Sequence, residues 1–171
     1  MKSNNPSIIL VRPQLPENIG MVARAMDNCG LKKLILVSPR EKWPNQKAIK
    51  ASANSKKIIY NAIVFKSLNK ALLTFNYVIA TTNRKRFLQK PIHNNFKKFF
   101  KEIPTNKKIA LIFGPENSGL SNEDLMLCDS IFNMNCLKQI NLLIYPMQYY
   151  YFHINGENIF TYLQIYIVLI L

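Results

Sequence analysis

The sequence predicts an α/β fold, in which a mostly parallel sheet is flanked by helices, and two short apolar runs carry this prediction. Residues 8–11 and 34–37 are unbroken runs of Ile, Leu and Val, which are typical of strands buried on both faces of a sheet. A helix fits between them, because Ile19, Val22 and Met26 recur at helical spacing. A strand, a helix and a second strand in this order predict parallel pairing.

The predicted helix has residues suited to both of its ends and a polar side that could carry chemistry. Asn18 is expected to cap its start, and Gly30 is expected to end it in the left-handed conformation. At 100° per residue, Gly20, Arg24 and Asp27 share a narrow sector away from the apolar stripe. Arg24 is suited there to a phosphate or a ribose, but spacing alone favours an ion pair with Asp27, three residues further on.

The rest of the chain continues the alternation of helices and strands. Strands are predicted at 63–65, 77–80 and 109–113, and helices at 47–53, 68–75 and 94–103. Interleaved Lys and Phe residues in 94–103 can indicate base stacking, although their helical spacing favours a packed aromatic stripe. Ser121 predicts a capped helix start, with acidic residues in the first turn.

Polar residues follow the predicted strand at 77–80. Ligands of open α/β sheets collect beyond the carboxyl ends of the strands, where Thr81, Thr82 and Asn83 are expected. A basic cluster comes next, formed by Arg84, Lys85 and Arg86. This cluster is suited to RNA phosphates, and it is equally suited to a solvated loop; the sequence leaves both interpretations open.

The charge of the chain favours a polyanionic partner. Twenty-three Lys and Arg against nine Asp and Glu give a net charge of +14, and every Lys and Arg lies before residue 139. Such a basic part is typical of proteins that bind nucleic acid, and salt would weaken that binding. A surface tuned for solubility is the alternative.

Cysteine and histidine usage argues against disulfides and against a metal. The 171 residues predict one domain, and the three cysteines, Cys29, Cys128 and Cys136, form no Cys-x-x-Cys pair. A reduced cytoplasm fits best, since the N-terminus also lacks the apolar core of a signal peptide. His93 and His153 are too few and too far apart in sequence to suggest a metal site.

Two segments resemble the motifs of a known family. Residues 16–26 read Pro-Glu-Asn-Ile-Gly-Met-Val-Ala-Arg-Ala-Met, and residues 113–120 read Phe-Gly-Pro-Glu-Asn-Ser-Gly-Leu. They resemble the first two motifs of the SpoU/TrmH branch of the SPOUT RNA 2′-O-methyltransferases, Asn-x-Gly-x-x-x-Arg and Phe-Gly-x-Glu-x-x-Gly-Leu. Residues 51–92 look most like the TrmJ group of that family, which methylates the ribose of nucleotide 32 in the tRNA anticodon loop.

The resemblance implies a knotted α/β fold, a homodimer, and methyl transfer from S-adenosylmethionine to a ribose 2′-oxygen of tRNA. It assigns the catalytic part to Arg24, supported by Asn18 and Glu116, and RNA contacts to Arg84, Lys85 and Arg86. The cofactor contacts that it implies are Thr81, Thr82, Asn83, Gly114, Met134, Asn141, Leu142 and Leu143. Asn141 and Leu142 replace serines of the family pattern, so two hydroxyl contacts are lost.

The family pattern breaks after residue 138. A third motif, roughly Ser-Ser-Leu-Asn-Leu-Ser-x-Ala-Val, closes the cofactor pocket in the family and begins the helix that completes the knot. Residues 141–149 read Asn-Leu-Leu-Ile-Tyr-Pro-Met-Gln-Tyr instead, and no Lys or Arg follows. We therefore divide the chain into a methyltransferase core, 1–138, and an aberrant hydrophobic tail, 139–171, in which the knot-forming part is degraded.

The tail has two possible origins. Inserting one A after a CTT codon for Leu143 restores Leu-Asn-Leu-Ser-His-Ala-Val, so our hypothesis is a one-nucleotide deletion that leaves the last 28 residues out of frame. The rival interpretation is a membrane anchor, but 159–171 has only 13 residues, against the ~20 that span a bilayer. The tail also motivates the alternative function, an inactive homologue that at most binds RNA.

Overall fold

The computed structural model describes residues 5–82, 84, 89–94 and 107–133, and these residues form a seven-stranded parallel sheet. The strands are β1 (Ser7–Val11), β2 (Leu34–Val37), β3 (Ile63–Phe65), β4 (Tyr77–Thr82), β5 (Ile92–His93), β6 (Ile109–Phe113) and β7 (Ser130–Asn133). Their spatial order is β3-β2-β1-β6-β4-β7-β5, and each neighbouring pair is parallel. The predicted α/β class with a mostly parallel sheet is confirmed.

Helices cover both faces of this sheet. They are α1 (Pro16–Asn28), α2 (Gln46–Ala51), α3 (Lys56–Tyr60), α4 (Leu68–Leu72) and α5 (Asn122–Met126), with a 3-10 turn at Ala53–Ser55. Ile8 and Leu10 pack with the residues of α1 to α3, whereas Ile9 and Val11 pack with those of α4 and α5. Because successive side chains of a strand point to opposite faces, burial on both sides explains the unbroken apolar runs.

Helix α1 begins two residues before the predicted cap, so the prediction that Asn18 caps it is wrong. Leu15 occupies the cap position without a side-chain hydrogen bond, and Pro16 takes the first helical position. Proline is suited to that position because its φ is already helical and its missing N–H has no partner there. Asn18 is buried inside the helix, with 8% of its surface exposed. Gly30 has φ +68°, as expected for the left-handed end of the helix.

The polar side of α1 is partly covered by α2. A Cβ on Gly20 would lie 2.7 Å from the Cβ of Ala51 and closer still to the carbonyl oxygen of Ala48. The glycine therefore allows two helices to pack closely, and it does not leave bare backbone beside Arg24. The hydroxyl of Ser55 donates to the Asp27 carboxylate at 2.9 Å, and within the described part of the chain no ion pair joins Asp27 to Arg24, so the predicted pair is wrong.

Several predictions concern residues outside the described ranges. They include most of the predicted helix at 94–103, the knot, and the tail 139–171 in either of its interpretations. Within the described ranges, no helix is both long and apolar enough to cross a bilayer.

Candidate active site

The carboxyl ends of β1, β6 and β4 lie side by side at one edge of the sheet. The chain runs outward from β1 through β2 to β3 and then returns to the other side of β1 with β4, so the direction of winding changes beside β1. In open α/β sheets such a switch point leaves a crevice at the carboxyl edge. The connection from β1 to α1 and the connection from β6 to α5 both start at this edge.

Glu116 ties these two connections together. Its carboxylate accepts hydrogen bonds from the backbone N–H of Gln14 at 2.9 Å and of Leu15 at 3.3 Å, and from the side-chain amide of Asn18 at 3.0 Å. Three donors on one carboxylate fix the segment before α1 against the turn after β6. The structure thus brings together Asn18 and Glu116, which the sequence predicted as supporting residues from separate motifs.

A second carboxylate makes a parallel connection between the same two segments. Both terminal nitrogens of Arg12 donate to the two oxygens of Asp124, one of them at 3.2 Å. Asp124 also forms a capping box with Ser121, as predicted for the start of α5. Burial alone would raise the pKa of Asp124, but hydrogen bonds from Arg12 and Ser121 outweigh it and hold this pKa below its ordinary value.

Arg12 was not among the site residues predicted from the sequence. It has φ +49°, and its backbone N–H donates to the carbonyl of Val37 at 2.7 Å, while its own carbonyl accepts from the side-chain amide of Gln14 at 2.7 Å. One signal was available, since Arg12 is a charged residue directly after a buried strand. The same reasoning that singled out residues 81–83 applies to it.

Gly114 is required by the turn that follows β6. A Cβ there would lie 2.8 Å from the Cα of Gly119 and closer to the backbone nitrogen of Leu120, so the turn folds back on its own first residue. The N–H of Gly119 donates to the carbonyl of Pro115 at 2.8 Å, and Gly119 has φ +67°. The glycine at position 114 is therefore explained by closure of the turn.

The two predicted threonines use their hydroxyls within the protein. Thr81 is buried and donates to the carbonyl of Ile112 at 3.0 Å, whereas the Thr82 hydroxyl accepts the backbone N–H of Arg84 at 3.1 Å. Register places Ala80 opposite Ile112, so Thr82 lies level with Gly114. The other predicted site residues, Asn83, Lys85, Arg86, Met134, Asn141, Leu142 and Leu143, lie outside the described residues.

An open cleft of about 470 Å³ lies at this edge. Its walls are Arg12, Arg84 and residues 118–123. Two arginines that follow different strands thus line one space, together with Ser118 and Ser121.

Arg24 is not part of this group. It is exposed on α1, six residues beyond Asn18, which corresponds to about 9 Å along the helix axis. It does not line the cleft, and no ion pair or hydrogen bond joins it to another described residue.

The two described cysteines are free and buried. Burial raises the pKa of Cys29 to about 11 and the pKa of Cys128 to about 12, so both remain protonated thiols at neutral pH. Among the described residues, no group of three or more His, Cys, Asp or Glu could hold a metal ion.

Fold and site together define a parallel α/β protein with its crevice at the switch point of the sheet. Comparison with known proteins narrows this class, because residues 5–143 match the model of the SpoU rRNA Methylase family. The chain belongs to this family, and the predicted resemblance is confirmed.

The relatives include a TrmJ group. The curated tRNA (cytidine/uridine-2′-O-)-methyltransferase TrmJ of an Escherichia coli strain is 38% identical over 126 residues, which is 72% of this chain and 51% of the relative. The crystal structure of TrmJ from Z. mobilis superimposes with a TM-score of 0.71 at 32% identity, covering 96% of this chain and 67% of that one. The chain spans about half the length of the curated relatives it matches.

A more distant structure shares the fold alone. The SpoU methyltransferase AviRb from Streptomyces viridochromogenes, solved in complex with AdoMet, has a TM-score of 0.59 at 17% identity. The match covers 98% of this chain and 59% of that one.

Proposed function

We propose that this chain is an S-adenosylmethionine-dependent methyltransferase that modifies a ribose 2′-hydroxyl of tRNA, at nucleotide 32 of the anticodon loop. One observation supports the proposal most strongly: Glu116 binds Gln14, Leu15 and Asn18 and so unites both family motifs at a single edge of the sheet. The activity that the TrmJ relative's name states and the +14 charge of the chain agree with it.

The described part of the edge fits the proposed cofactor. Thr82 ends β4 and lies level with Gly114, which directly follows the neighbouring strand β6 at the same carboxyl edge of the sheet. S-adenosylmethionine supplies an electrophilic methyl group on sulfur. The residues proposed to hold it are Thr81, Thr82, Asn83, Gly114 and Met134, with Asn141, Leu142 and Leu143 from the chain beyond. Because the Thr81 hydroxyl already donates to Ile112, it is available only as an acceptor.

The proposed role of Arg24 is electrostatic. A ribose hydroxyl is a poor nucleophile at neutral pH, and a guanidinium rarely gives up its own proton. Arg24 is therefore better suited to stabilise the oxygen as it loses its proton, or to hold a neighbouring phosphate. Since it lies about 9 Å along α1 from Asn18, it meets the reacting ribose when the tRNA crosses α1 or when a second copy brings its α1 to the site. A homodimer is accordingly part of the proposal.

The tail favours a second candidate, an inactive homologue that binds RNA. Residues 141–149 lack the third motif of the family, and Asn141 and Leu142 stand where the family has serines. A one-nucleotide deletion near codon 144 remains our hypothesis for its origin, and the DNA sequence of codons 143–149 tests it directly.

Two measurements on the full chain separate the candidates. Isothermal titration with S-adenosylmethionine detects the cofactor, and transfer of a labelled methyl group to a tRNA transcript, followed by nuclease mapping, detects the 2′-O-methyl product. We expect Arg24→Ala to lower kcat about 100-fold, with Lys70→Gln, an exposed residue of α4, as the control. Folded protein that binds RNA but gives neither heat nor product would establish the inactive homologue instead.

A further inference from the structure

We propose that Arg12 and Arg84 form a clamp for one phosphodiester of the RNA, in the cleft at the carboxyl edge of the sheet. The inference rests on the proposed function for the identity of the polyanion. Arg84 belongs to a basic segment already assigned to RNA, but Arg12 comes from the other side of β6 and belongs to neither family motif. The cleft that they share has a volume of about 470 Å³ and is open to solvent.

Arg12 is prepared for a second ligand. A guanidinium has five N–H donors, and the fork to Asp124 employs its two terminal nitrogens through one N–H each. Three donors remain, and 42% of the side chain is exposed. The bonds to Val37 and Gln14 fix its backbone, and Asp124 fixes its plane. An arginine held in this way loses little conformational entropy when an anion binds.

Arg84 approaches the same space from β4. Its backbone N–H is held by the Thr82 hydroxyl, and its side chain is exposed. Strands β1 and β4 flank β6, so the two arginines start roughly 10 Å apart, about two strand spacings. Side chains of this length reach a common ligand between them.

Phosphate is the anion that this arrangement suits. Planar guanidinium forks match the tetrahedral oxygens of a phosphodiester, and the hydroxyls of Ser118 and Ser121 add donors along the wall. Glu123 also lines the cleft, and its carboxylate opposes an anion there. The clamp therefore predicts the direction of one change in affinity: removal of the Glu123 charge should strengthen RNA binding.

The test measures binding of a fluorescein-labelled tRNA anticodon stem-loop to the full chain by anisotropy, without cofactor and over a series of salt concentrations. Arg84→Gln and Arg12→Gln should each weaken binding roughly tenfold and reduce the slope of log K against log salt by about 1. Glu123→Gln should tighten binding, and Lys70→Gln, an exposed residue of α4 that does not line the cleft, should leave these quantities within error of those of the reference chain.

Shared binding of one phosphate is revealed by the double variant. If both arginines hold the same phosphodiester, Arg12→Gln/Arg84→Gln costs less than the sum of the single changes, and the slope falls by about 1 in total. Additive losses would overturn the clamp in favour of separate contacts. An unchanged affinity in Arg84→Gln would overturn it as well.

Two further measurements separate the clamp from simple charge attraction and from a site for free phosphate. Arg12→Lys keeps the charge but cannot serve Asp124 and a phosphate with a planar fork, so a folded Arg12→Lys protein should bind RNA about as weakly as Arg12→Gln. Full affinity in that variant would contradict the clamp. Titration with inorganic phosphate alone should give no saturable heat; saturable heat that Arg84→Gln abolishes would identify free phosphate as the ligand. Because none of these measurements uses methyl transfer, failure of the proposed function and failure of the clamp give different results.

Discussion

Glu116 shows how much of the site depends on a single side chain. Its carboxylate accepts three hydrogen bonds, at 2.9 and 3.3 Å from the backbone before α1 and at 3.0 Å from Asn18 in α1. We expect Glu116→Gln to lower the free energy of unfolding by about 2 kcal/mol, since an amide has one acceptor oxygen and leaves donors unsatisfied. Urea denaturation measures the change.

A second glutamate provides the matched control. Glu17 is half-buried in the first turn of α1 and has only a 3.8 Å contact with Lys47. Glu17→Gln should therefore cost less than about 1 kcal/mol. Equal losses in the two variants would show that Glu116 adds nothing beyond the charge of a helix start.

Asp124 should make the stability of the protein sensitive to acid. Its pKa is lower in the folded chain than in the unfolded chain, so its contribution is complete above the unfolded pKa of about 3.9 and is lost as pH falls through the folded value. Asp124→Asn should lower stability at pH 7 by about 2 kcal/mol and flatten the acid limb below about pH 4. Urea midpoints across pH test this, and an acid limb that is equally steep in the Asp124→Asn variant would contradict it.

Cys29 and Cys128 should be unreactive in the native state. With pKa values of about 11 and about 12, neither forms an appreciable fraction of thiolate at neutral pH, and both are buried. In a Cys136→Ser variant, a thiol reagent should label both only as the protein unfolds in denaturant. Rapid labelling of two thiols in native protein would mean that these side chains are accessible.

At the scale of elements, substitution of Gly20 tests whether the close packing of α1 on α2 requires a glycine. Alanine normally stabilises a helix by about 1 kcal/mol over glycine, but here its Cβ would meet the Ala48 carbonyl and the Ala51 side chain. Gly20→Ala should therefore destabilise the protein by about 1 to 3 kcal/mol, measured by thermal or urea unfolding.

Two comparisons identify the cause of that loss. Adding Ala51→Gly should restore little, because the backbone carbonyl of Ala48 remains in the way. Gly30→Ala, with no heavy atom within 4 Å but φ +68°, should cost about 1 kcal/mol from backbone conformation alone. A gain in stability from Gly20→Ala would show that the helices can move apart.

The elements differed in how well the sequence predicted them. Buried strands such as β2 and β6 match their predictions residue for residue, because an apolar run between polar residues has few other solutions. Helix starts were harder to predict: Asn18 has the chemistry of a cap, but Pro16 begins α1 and Asn18 turns to Glu116. That partner is 98 residues away in sequence, so local preference could not identify it.

At the scale of the whole molecule, the spatial order of the strands limits which residues of the site could be predicted from the sequence. Thr82 ends β4 and Gly114 directly follows the neighbouring strand β6, so the rule for carboxyl ends was sufficient to place Thr82 at this edge, whereas Gly114 was identified only through its motif. The position of Arg12 directly after a buried strand was a local signal, but its place in one cleft with Arg84 depends on the insertion of β6 between β1 and β4, which no local pattern encodes. The roles of Arg24, Asn18 and Glu116 in catalysis remain predictions.

The tail gives the prediction that concerns the chain as a whole. Restoring the proposed reading frame after Leu143 replaces Ile-Tyr-Pro by Asn-Leu-Ser, which restores one amide and one hydroxyl of the third motif directly after the proposed cofactor contacts and leaves Asn141 and Leu142 unchanged. Two added hydrogen bonds, each contributing about 1 kcal/mol, should strengthen S-adenosylmethionine binding at least about tenfold. Isothermal titration of the two chains side by side measures this, with binding of the tRNA stem-loop as the control, since Arg12 and Arg84 are unchanged. Equal cofactor affinity in both chains would mean that the restored residues from position 144 onward do not contribute to the cofactor pocket.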